Sequence, residues 1–286
     1  MNTQPVNENE QAKTWNGHAG HAWVEMQSSL DRLFQPFEEM LVQAAAARPP
    51  RRVLDVGCGA GATTLALARR LGSGAHCLGI DISEPMLATA RLRARQEGSH
   101  AEFLRANAET HPFEPATFDR IVSRFGVMFF DDSTGAFANL RRAATPDAEL
   151  HLITWRSAAD NPFMTTAERA AAPLLPGLPA RKPGAPGQFA FADPNHVRGI
   201  LTAGGWDGVD IQPIDVTCTM PESELVPYIS RLGPVGLALQ DAAEPLRAQV
   251  VETARAAFAP YVHGPEVRFT AACWMVTAHA SSPPPR

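Results

Sequence analysis

Apolar and polar positions follow two alternating patterns from residue 50 to residue 157. Short apolar runs, typical of buried strands, are separated by longer stretches with apolar residues three and four positions apart, which are typical of helices. This alternation predicts a parallel sheet with helices on both faces. The predicted strands are 52–56, 77–81, 101–105, 118–123 and 149–155, and the predicted helices are 61–71, 83–98 and 133–144.

Both flanks of this stretch carry further elements. A helix is predicted from about residue 26 to 47 before it, and a helix capped by Asp193 with Pro194 in its first turn after it. Residues 209–220 and 268–278 are the predicted last two strands. The chain is therefore predicted to be an α/β protein with one doubly wound sheet.

A glycine-rich turn follows the first predicted strand. Gly57, Gly59 and Gly61 stand between that strand and the next helix, where residues without a Cβ let the backbone turn sharply and approach a ligand closely. Asp81 ends the second strand, where a carboxylate can accept hydrogen bonds from both hydroxyls of a ribose. The arrangement predicts a cofactor that carries a nucleoside. We expect Asp81 to be exposed at the strand end and its loss to leave fold stability almost unchanged.

Two cofactor classes compete for this turn. Gly57, Gly59 and Ala62 satisfy the looser G-x-G-x-x-A fingerprint of dinucleotide enzymes, whose pyrophosphate sits at a helix N-terminus. Gly61 gives instead the tighter G-x-G-x-G spacing. Asp55, two residues before the first glycine, places a carboxylate where it can hold a methionine ammonium. These features favour S-adenosylmethionine, with a dinucleotide-dependent oxidoreductase as the first alternative.

Four motifs in order carry a resemblance to a known family. They are Val53-Leu54-Asp55-Val56-Gly57-Cys58-Gly59-Ala60-Gly61, Gly79-Ile80-Asp81-Ile82-Ser83, Arg105-Ala106-Asn107-Ala108-Glu109 with Pro112-Phe113 and Phe118-Asp119, and Ile121-Val122-Ser123-Arg124-Phe125-Gly126-Val127. Residues from about 50 to 157 thus resemble class I S-adenosylmethionine-dependent methyltransferases, particularly the ubiquinone/menaquinone C-methyltransferase-like group. The resemblance implies a mostly parallel, seven-stranded sheet with an antiparallel last strand, and S-adenosyl-L-methionine as cofactor.

The resemblance also implies which residues contact the cofactor. The family's contacts fall here on Asp55, Gly57, Cys58, Gly59, Gly61, Asp81, Ile82, Met86, Asn107, Ala108 and Ser123. The family usually has Asp where this chain has Asn107, and the side-chain oxygen of Asn107 can still accept from the adenine amine. The implied activity is methylation of an oxygen, nitrogen or carbon atom of a small-molecule metabolite. A non-catalytic cofactor-binding protein is the second alternative.

The N-terminal segment contains candidates for the acceptor pocket and for a base. In the family this region closes over the cofactor and supplies aromatic contacts. Trp15 and Trp23 are the candidates here, since a sulfonium is attracted to an aromatic face; the same tryptophans can equally pin the N-terminal helix to the sheet. His18 and His21 are candidates for a general base. With no convergent Cys or acidic partner, they predict no metal site.

The residues after the fourth predicted strand are further candidates. Arg124, Phe125 and Phe129 stand at the mouth where acceptors bind in such folds. Arg124 is a candidate for catalysis as the anchor of an acidic or phenolate acceptor. It can also pair with Asp131 or Asp132, and we favour that pairing.

Two segments differ in composition from the core. Residues 160–194 hold seven prolines, which prevent long regular elements, and they leave the end of the fifth strand, where ligands bind. This segment is either a lid or a surface loop. The predicted domains are an N-terminal helical closure segment (1–49), an S-adenosylmethionine-binding Rossmann-like core (50–157), a proline-rich lid or loop (158–192), the remainder of the sheet domain (193–220 and 266–280) and a helical insertion (221–265).

Composition narrows the possible partners. The net charge of −5, from 30 acidic and 25 basic residues, offers no basic field for nucleic acid, and Arg91, Arg93 and Arg95 are predicted to form a solvated helix face. No apolar run approaches the ~20 residues needed to cross a bilayer. Four scattered cysteines without metal spacing suggest reduced thiols. We expect a cytoplasmic protein, monomeric or homodimeric, with a small-molecule acceptor and no nucleic-acid or membrane partner.

Overall fold

The computed structural model describes residues 10–182 and 184–280. Residues 1–9 of the predicted closure segment and Pro183 of the predicted lid lie outside the described residues. The strands are β1 Arg52–Val56, β2 His76–Asp81, β3 Glu102–Arg105, β4 Phe118–Arg124, β5 Ala144–Trp155, β6 Asp207–Pro221, β7 Val262–His263 and β8 Glu266–His279. The helices are α1 Glu10–Asn16, α2 His18–Glu25, α3 Gln27–Ala45, α4 Ala62–Leu71, α5 Glu84–Glu97, α6 Ser133–Ala143, α7 Pro162–Ala171, α8 Pro194–Ala203, α9 Leu225–Arg231, α10 Gly233–Ala238 and α11 Glu244–Ala257.

One sheet organises the fold. Its strand order is β3-β2-β1-β4-β5-β8-β6, and the two-residue strand β7 pairs with β8. Strands β1 to β5 are parallel, whereas β8 runs antiparallel to both of its neighbours, β5 and β6. The predicted doubly wound, mostly parallel sheet with an antiparallel last strand is therefore confirmed.

The centre of the sheet is covered on both faces. Val53, Leu54 and Val56 of β1 are buried, as expected for a parallel strand that is covered on both faces. Every residue from Ala62 to Ala68 in α4 is buried as well. The helix ends at Gly72, whose φ of 63° is readily adopted only by glycine.

Two predicted elements differ from those observed. The fifth strand begins at Ala144 rather than Glu149, because Phe118 of β4 pairs with Ala144 before the register shifts. The helix predicted over 26–47 spans Gln27–Ala45, and two short helices, α1 and α2, precede it. These two helices lack the length over which apolar periodicity becomes a clear signal.

The proline-rich segment and the helical insertion pack on each other. Ala171 and Leu175 from the first form a separate small core with Val235, Leu239 and Val250 from the second. Ion pairs join the helical insertion to the N-terminal helices: Arg231 pairs with Glu25 at 2.8 Å, and Arg32 pairs with Glu224. The prolines did limit regular structure, since α7 is the one α-helix among the described residues of 160–192.

The cysteines are thiols in apolar surroundings. All four, at positions 58, 77, 218 and 273, are free and buried, and burial raises the pKa of Cys77 and of Cys218 to about 12. Within residues 10–182 and 184–280, no group of three or more His, Cys, Asp or Glu side chains is placed to hold a metal ion. In the same part of the chain, no helix has the length and apolarity that crossing a membrane requires.

Candidate cofactor site

The predicted site residues gather at the carboxyl edge of the sheet, where the strand order reverses. β1 is followed on one side by β2 and β3, and on the other by β4 and β5, and ligands of open α/β sheets bind at such a reversal. The turns after β1 and β4 meet here backbone to backbone. A Cβ added to Gly57 would lie 2.7 Å from the Cα of Gly126, and one added to Gly126 would lie 2.6 Å from the carbonyl oxygen of Val56. Both positions therefore require glycine.

The glycine turn leaves one face open. Gly57, Gly59 and Gly61 have φ values of 67°, 53° and 83°, in the left-handed region that favours glycine. A Cβ on Gly61 would lie 2.9 Å from the ring of Phe103, so this glycine is needed for packing. A Cβ on Gly59 would meet only the sulfur of Met86, at 3.6 Å. The open face at Gly59 is where a ligand can approach the backbone.

Asp81 is held between the glycine turn and the start of α5. Its Oδ2 accepts from the Gly59 N–H and its Oδ1 from the Ser83 N–H, both at 2.8 Å. The residue is 9% exposed, and burial raises the pKa of its carboxyl although the backbone hydrogen bonds lower it. The expectation of an exposed carboxylate is therefore wrong. Each oxygen still has a lone pair available, so two hydroxyl donors of a ligand can be accommodated.

Asp55 lies deeper, below the first glycine of the turn. It is 1% exposed, and its Oδ2 accepts a hydrogen bond from the Thr64 hydroxyl at 2.6 Å. Burial raises the pKa of Asp55 to about 6, against the opposing effects of the Thr64 hydrogen bond and the Arg124 guanidinium. Because the group titrates close to neutrality, a cationic ligand group next to it would favour the ionised form.

Two other predicted cofactor residues use their side chains within the protein. The Ser123 hydroxyl donates to the Val56 carbonyl at 2.7 Å and accepts from the Gly126 N–H at 3.2 Å, which fastens the ends of β1 and β4 together. The side-chain oxygen of Asn107 accepts from the Glu109 N–H at 2.9 Å. The Ser123 hydroxyl therefore shapes the crevice from behind, while Asn107 stiffens the turn that follows β3.

The remaining predicted cofactor residues differ in exposure. Cys58, Met86 and Ala108 are buried, whereas Ile82 is half-buried at the turn between β2 and α5. The Met86 N–H donates to the hydroxyl of Ser83, which caps α5. These residues line the same edge as Asp81 but contribute mostly apolar surface.

The N-terminal segment is hydrogen-bonded to the turn that carries Asp81. Asn16 donates to the Ile82 carbonyl at 3.0 Å and accepts from the Glu84 N–H at 2.9 Å. The Ser83 hydroxyl donates to the Trp15 carbonyl at 2.6 Å. Gly20 makes this approach possible, since a Cβ there would lie 1.9 Å from the Trp15 oxygen. The sequence motifs include Ser83 but had not marked Asn16 or Gly20 as residues of the site.

Three of the predicted acceptor-pocket rings are brought together. Trp15 makes edge contacts with Trp23, at 6.0 Å between ring centroids, and with Phe129, at 5.2 Å. All three residues are half-buried. The N-terminal segment and the turn after β4 thus form one aromatic surface beside the cofactor edge.

Phe125 has a different environment. It is 9% exposed and stacks on Trp155 with 4.4 Å between ring centroids, next to Phe34 and Phe37 of α3. Its φ of 64° is uncommon for a residue with a side chain, and such strain persists only where packing imposes it. Phe125 therefore belongs to the aromatic core under α3.

Arg124 is directed towards α3. Its Nη1 donates to the Phe34 carbonyl at 3.1 Å, and its charge lowers the pKa of Glu38, which burial raises. The guanidinium thus contacts α3, and Asp132 caps α6 by accepting from the Gly135 N–H. The favoured pairing of Arg124 with Asp131 or Asp132 stays a prediction. Arg124 remains half-buried at the mouth of the site.

His18 and His21 both lie exposed on α2, whose buried residues are Gly20 and Ala22. The His21 Nδ1 lies 2.8 Å from the Gly17 carbonyl, which fixes that nitrogen as the donor. The structure brings neither ring into the buried cluster around Asp55 and Asp81.

The predicted solvated arginine face is only partly correct. Arg95 is exposed, whereas Arg91 pairs with Glu84 at 2.7 Å. The Arg93 side chain is 20% exposed and bonds both Asp31 of α3 and the Ala60 carbonyl of the glycine turn. The tertiary partners of Arg93 lie far away in sequence, so no local pattern reveals them.

Comparisons with known proteins agree with this geometry. Residues 53–147 match the family described as methyltransferase domain. Demethylmenaquinone methyltransferase of Thermus thermophilus is 36% identical over 112 residues, which cover 39% of this chain and 50% of that protein. 2-Phytyl-1,4-naphtoquinone methyltransferase of Trichormus variabilis is 31% identical over 131 residues, covering 45% and 57%. A solved structure of Haemonchus contortus phosphoethanolamine N-methyltransferase 2 has a TM-score of 0.57 at 15% identity, covering 98% of this chain and 62% of that chain.

Residues 53–147 thus match a methyltransferase domain, and the sheet and the glycine turn resemble those of class I S-adenosylmethionine-dependent methyltransferases. S-adenosylmethionine is the cofactor of the class. The chain spans about half the length of the curated relatives it matches. These relatives therefore support the class, while their substrates are properties of those proteins.

Replacing Asp55 by asparagine is expected to stabilise the unliganded protein at pH 7.5 while weakening cofactor binding. In the folded state the carboxyl has a pKa of about 6 rather than 3.8, so its ionisation costs up to about 3 kcal/mol of fold stability. This cost is absent below pH 3.8, grows as the pH rises, and is complete above pH 6. Asparagine keeps an acceptor for Thr64 but cannot hold an ammonium group as an ion pair.

Melting temperatures of both proteins between pH 3.5 and pH 8, with titration of S-adenosylhomocysteine at pH 7.5, measure these effects. The two melting curves should coincide near pH 3.5 and separate as the pH rises, with the variant the more stable. A variant that is less stable at pH 7.5, or that binds with unchanged affinity, would contradict the assignment.

Proposed function

We propose that this protein transfers the methyl group of S-adenosylmethionine to a small-molecule acceptor. The observation that carries the proposal is Asp81, whose two carboxylate oxygens are fixed by the Gly59 and Ser83 N–H groups beside the open face of the glycine turn. A carboxylate held in this way can accept from two neighbouring hydroxyls without reorganising. A ribose offers such a pair.

The cofactor is held, on this proposal, by residues with different tasks. Asp81 takes the ribose hydroxyls, Asp55 attracts the methionine ammonium, and the Gly57–Gly61 backbone lies against the ligand. Asn107 keeps one lone pair of its side-chain oxygen for the adenine amine, because its contact with Glu109 uses only the other. Ile82, Met86 and Ala108 contribute the apolar walls. Cys58 and Ser123 support the turn from the protein side.

When bound, the cofactor supplies a methyl group on a positively charged sulfur. The task of the chain is to hold an acceptor in line with that methyl group and to exclude water. Trp15, Trp23 and Phe129 are suited to this, since aromatic faces attract a sulfonium and pack against an acceptor. Arg124 lies at the same mouth and carries a charge that suits an anionic acceptor.

Proton transfer is a minor part of the proposed mechanism. His18 and His21 are exposed on α2, and the buried carboxyls of the site are engaged with Thr64 and with backbone N–H groups. Positioning is therefore the main catalytic effect that we assign to this chain. An acceptor atom that is nucleophilic without a dedicated base fits such a site best.

The alternatives predict different ligands or no turnover. Asp55 is a carboxylate buried beside Thr64, below the first glycine of the turn. A dinucleotide-dependent oxidoreductase does not require a carboxylate at this position. A non-catalytic protein would bind S-adenosylhomocysteine but transfer no methyl group. The quinone methyltransferases among the relatives support a small-molecule acceptor over a macromolecular one.

Two measurements test the proposal together. Thermal shift with S-adenosylhomocysteine and with NADH is expected to show stabilisation by the first compound only. Incubation with radiolabelled S-adenosylmethionine and a metabolite extract is expected to label a small, extractable product. Stabilisation by NADH alone would support the oxidoreductase, and binding of S-adenosylhomocysteine without labelled product would support the non-catalytic alternative.

A further inference from the structure

Arg93 connects two parts of the site that are far apart in sequence. It lies in the second half of α5, and its side chain is 20% exposed. Its Nη1 donates to the Ala60 carbonyl at 2.7 Å, and its Nη2 donates to Asp31 Oδ2, also at 2.7 Å. One guanidinium thus links the glycine turn to the N-terminal helix α3.

The Ala60 carbonyl, which accepts from Arg93, belongs to a glycine-rich turn with little conformational preference of its own. Ala60 stands between Gly59 and Gly61, both at positive φ, and glycine loses more backbone freedom on ordering than any other residue. A charge-assisted hydrogen bond to the Ala60 carbonyl therefore restricts the part of the turn that a ligand approaches.

The contact between Arg93 and Asp31 depends on the position of the N-terminal segment. Asp31 lies on the first half of α3 and also accepts from Gln27 of the same helix. α3 follows α1 and α2, and this region binds the Asp81 turn through Trp15 and Asn16. Displacing α3 removes the carboxylate that orients the Arg93 guanidinium.

We propose that Arg93 is a positioning residue that couples cofactor affinity to docking of the N-terminal helices. With α3 in place, Asp31 holds the guanidinium against Ala60 and the glycine turn keeps its ligand-accepting conformation. With α3 displaced, the turn gains freedom and the cofactor binds less tightly. The inference rests on the proposed function for its ligand.

The experiment compares variants of the full chain. Arg93→Met removes both donors but keeps an unbranched apolar stem. Arg93→Lys keeps the charge, but a lysine cannot bond both partners at once as the planar guanidinium does. Asp31→Asn alters only the contact with α3. Arg95→Met, two residues along α5 at an exposed position, is the matched control. Affinity for S-adenosylhomocysteine is measured by calorimetry, well below each melting temperature. Hydrogen exchange of residues 57–61 is measured without ligand.

We expect Arg93→Met to weaken binding at least about tenfold and to speed hydrogen exchange in the turn, with smaller effects for Arg93→Lys and Asp31→Asn. Arg93→Met in the Asp31→Asn background should add less than it does alone, because the two residues act as one unit. A lower melting temperature with unchanged affinity and exchange would make Arg93 merely structural and overturn the inference. Absence of binding by the unmodified protein would overturn the proposed function instead.

Discussion

Replacing Asp81 by alanine is expected to weaken binding of S-adenosylhomocysteine by about one to two orders of magnitude or more. Each charge-assisted hydrogen bond that the carboxylate makes to a ribose hydroxyl is worth about 1.5–3 kcal/mol, and the loss of one is enough for that change. The glycine turn should suffer as well, since the Gly59 N–H loses its acceptor. Calorimetric titration at pH 7.5 measures the affinity.

The same substitution is expected to lower fold stability, which the sequence does not suggest. The Ser83 N–H, which is buried, and the partly buried Gly59 N–H both lose the partner they have at 2.8 Å. Leaving such groups unsatisfied costs about 1–3 kcal/mol each, and release of the buried charge offsets part of this. A net loss of roughly 1–3 kcal/mol should appear in urea denaturation without ligand.

Asp241→Ala is a suitable control, because Asp241 is exposed between α10 and α11 and is not among the residues assigned to the cofactor or the acceptor. It should change neither affinity nor stability appreciably. If Asp81→Ala lost stability but bound S-adenosylhomocysteine normally, Asp81 would serve only to connect the glycine turn with α5. The assignment to the ribose would then be wrong.

Much of the sheet and of the glycine turn could be predicted because the signals are local. The apolar runs of β1 and β2 and the helical spacing between them need no distant partner to be recognised. Gly57, Gly59 and Gly61 occupy positions of positive φ, which the residue type itself indicates. Ser83 caps α5 through Met86, three residues away. Each of these signals lies within one element or one turn.

The closure of the site could not be predicted, since its contacts join distant segments. Asn16 bonds Ile82 across 66 residues, and Arg93 bonds Asp31 across 62. In sequence, Asn16 is one polar residue among many, and Arg93 belongs to a helix rich in arginine. Asp81 was expected to be exposed because nothing local shows that the N-terminal segment covers its turn. Similarly, only packing against Trp155 and α3 explains the positive φ of Phe125.

Replacing Gly20 by alanine is expected to open the N-terminal segment without changing any residue assigned to the ribose, the adenine or the methionine ammonium. The added methyl group would lie 1.9 Å from the Trp15 carbonyl oxygen and 3.0 Å from the Ser83 hydroxyl. Backbone atoms cannot yield by that much in place, so Trp15 has to move away from Ser83, which now donates to it at 2.6 Å. Asn16, the next residue, then loses its two contacts with the same turn.

Affinity for S-adenosylhomocysteine should fall at least about tenfold, equivalent to about 1.4 kcal/mol, and methyl transfer should fall further because Trp15 also leaves Phe129. The sheet should stay folded, since its core does not include Gly20.

Gly199→Ala in α8 is the matched control: its Cβ meets nothing within 4 Å, so alanine should only raise stability by up to about 1 kcal/mol. Calorimetry, circular dichroism and turnover on the two variants separate these effects. If Gly20→Ala kept full affinity and turnover, the N-terminal segment would serve only to pin α3 to the sheet, and Trp15 would have no part in the acceptor pocket.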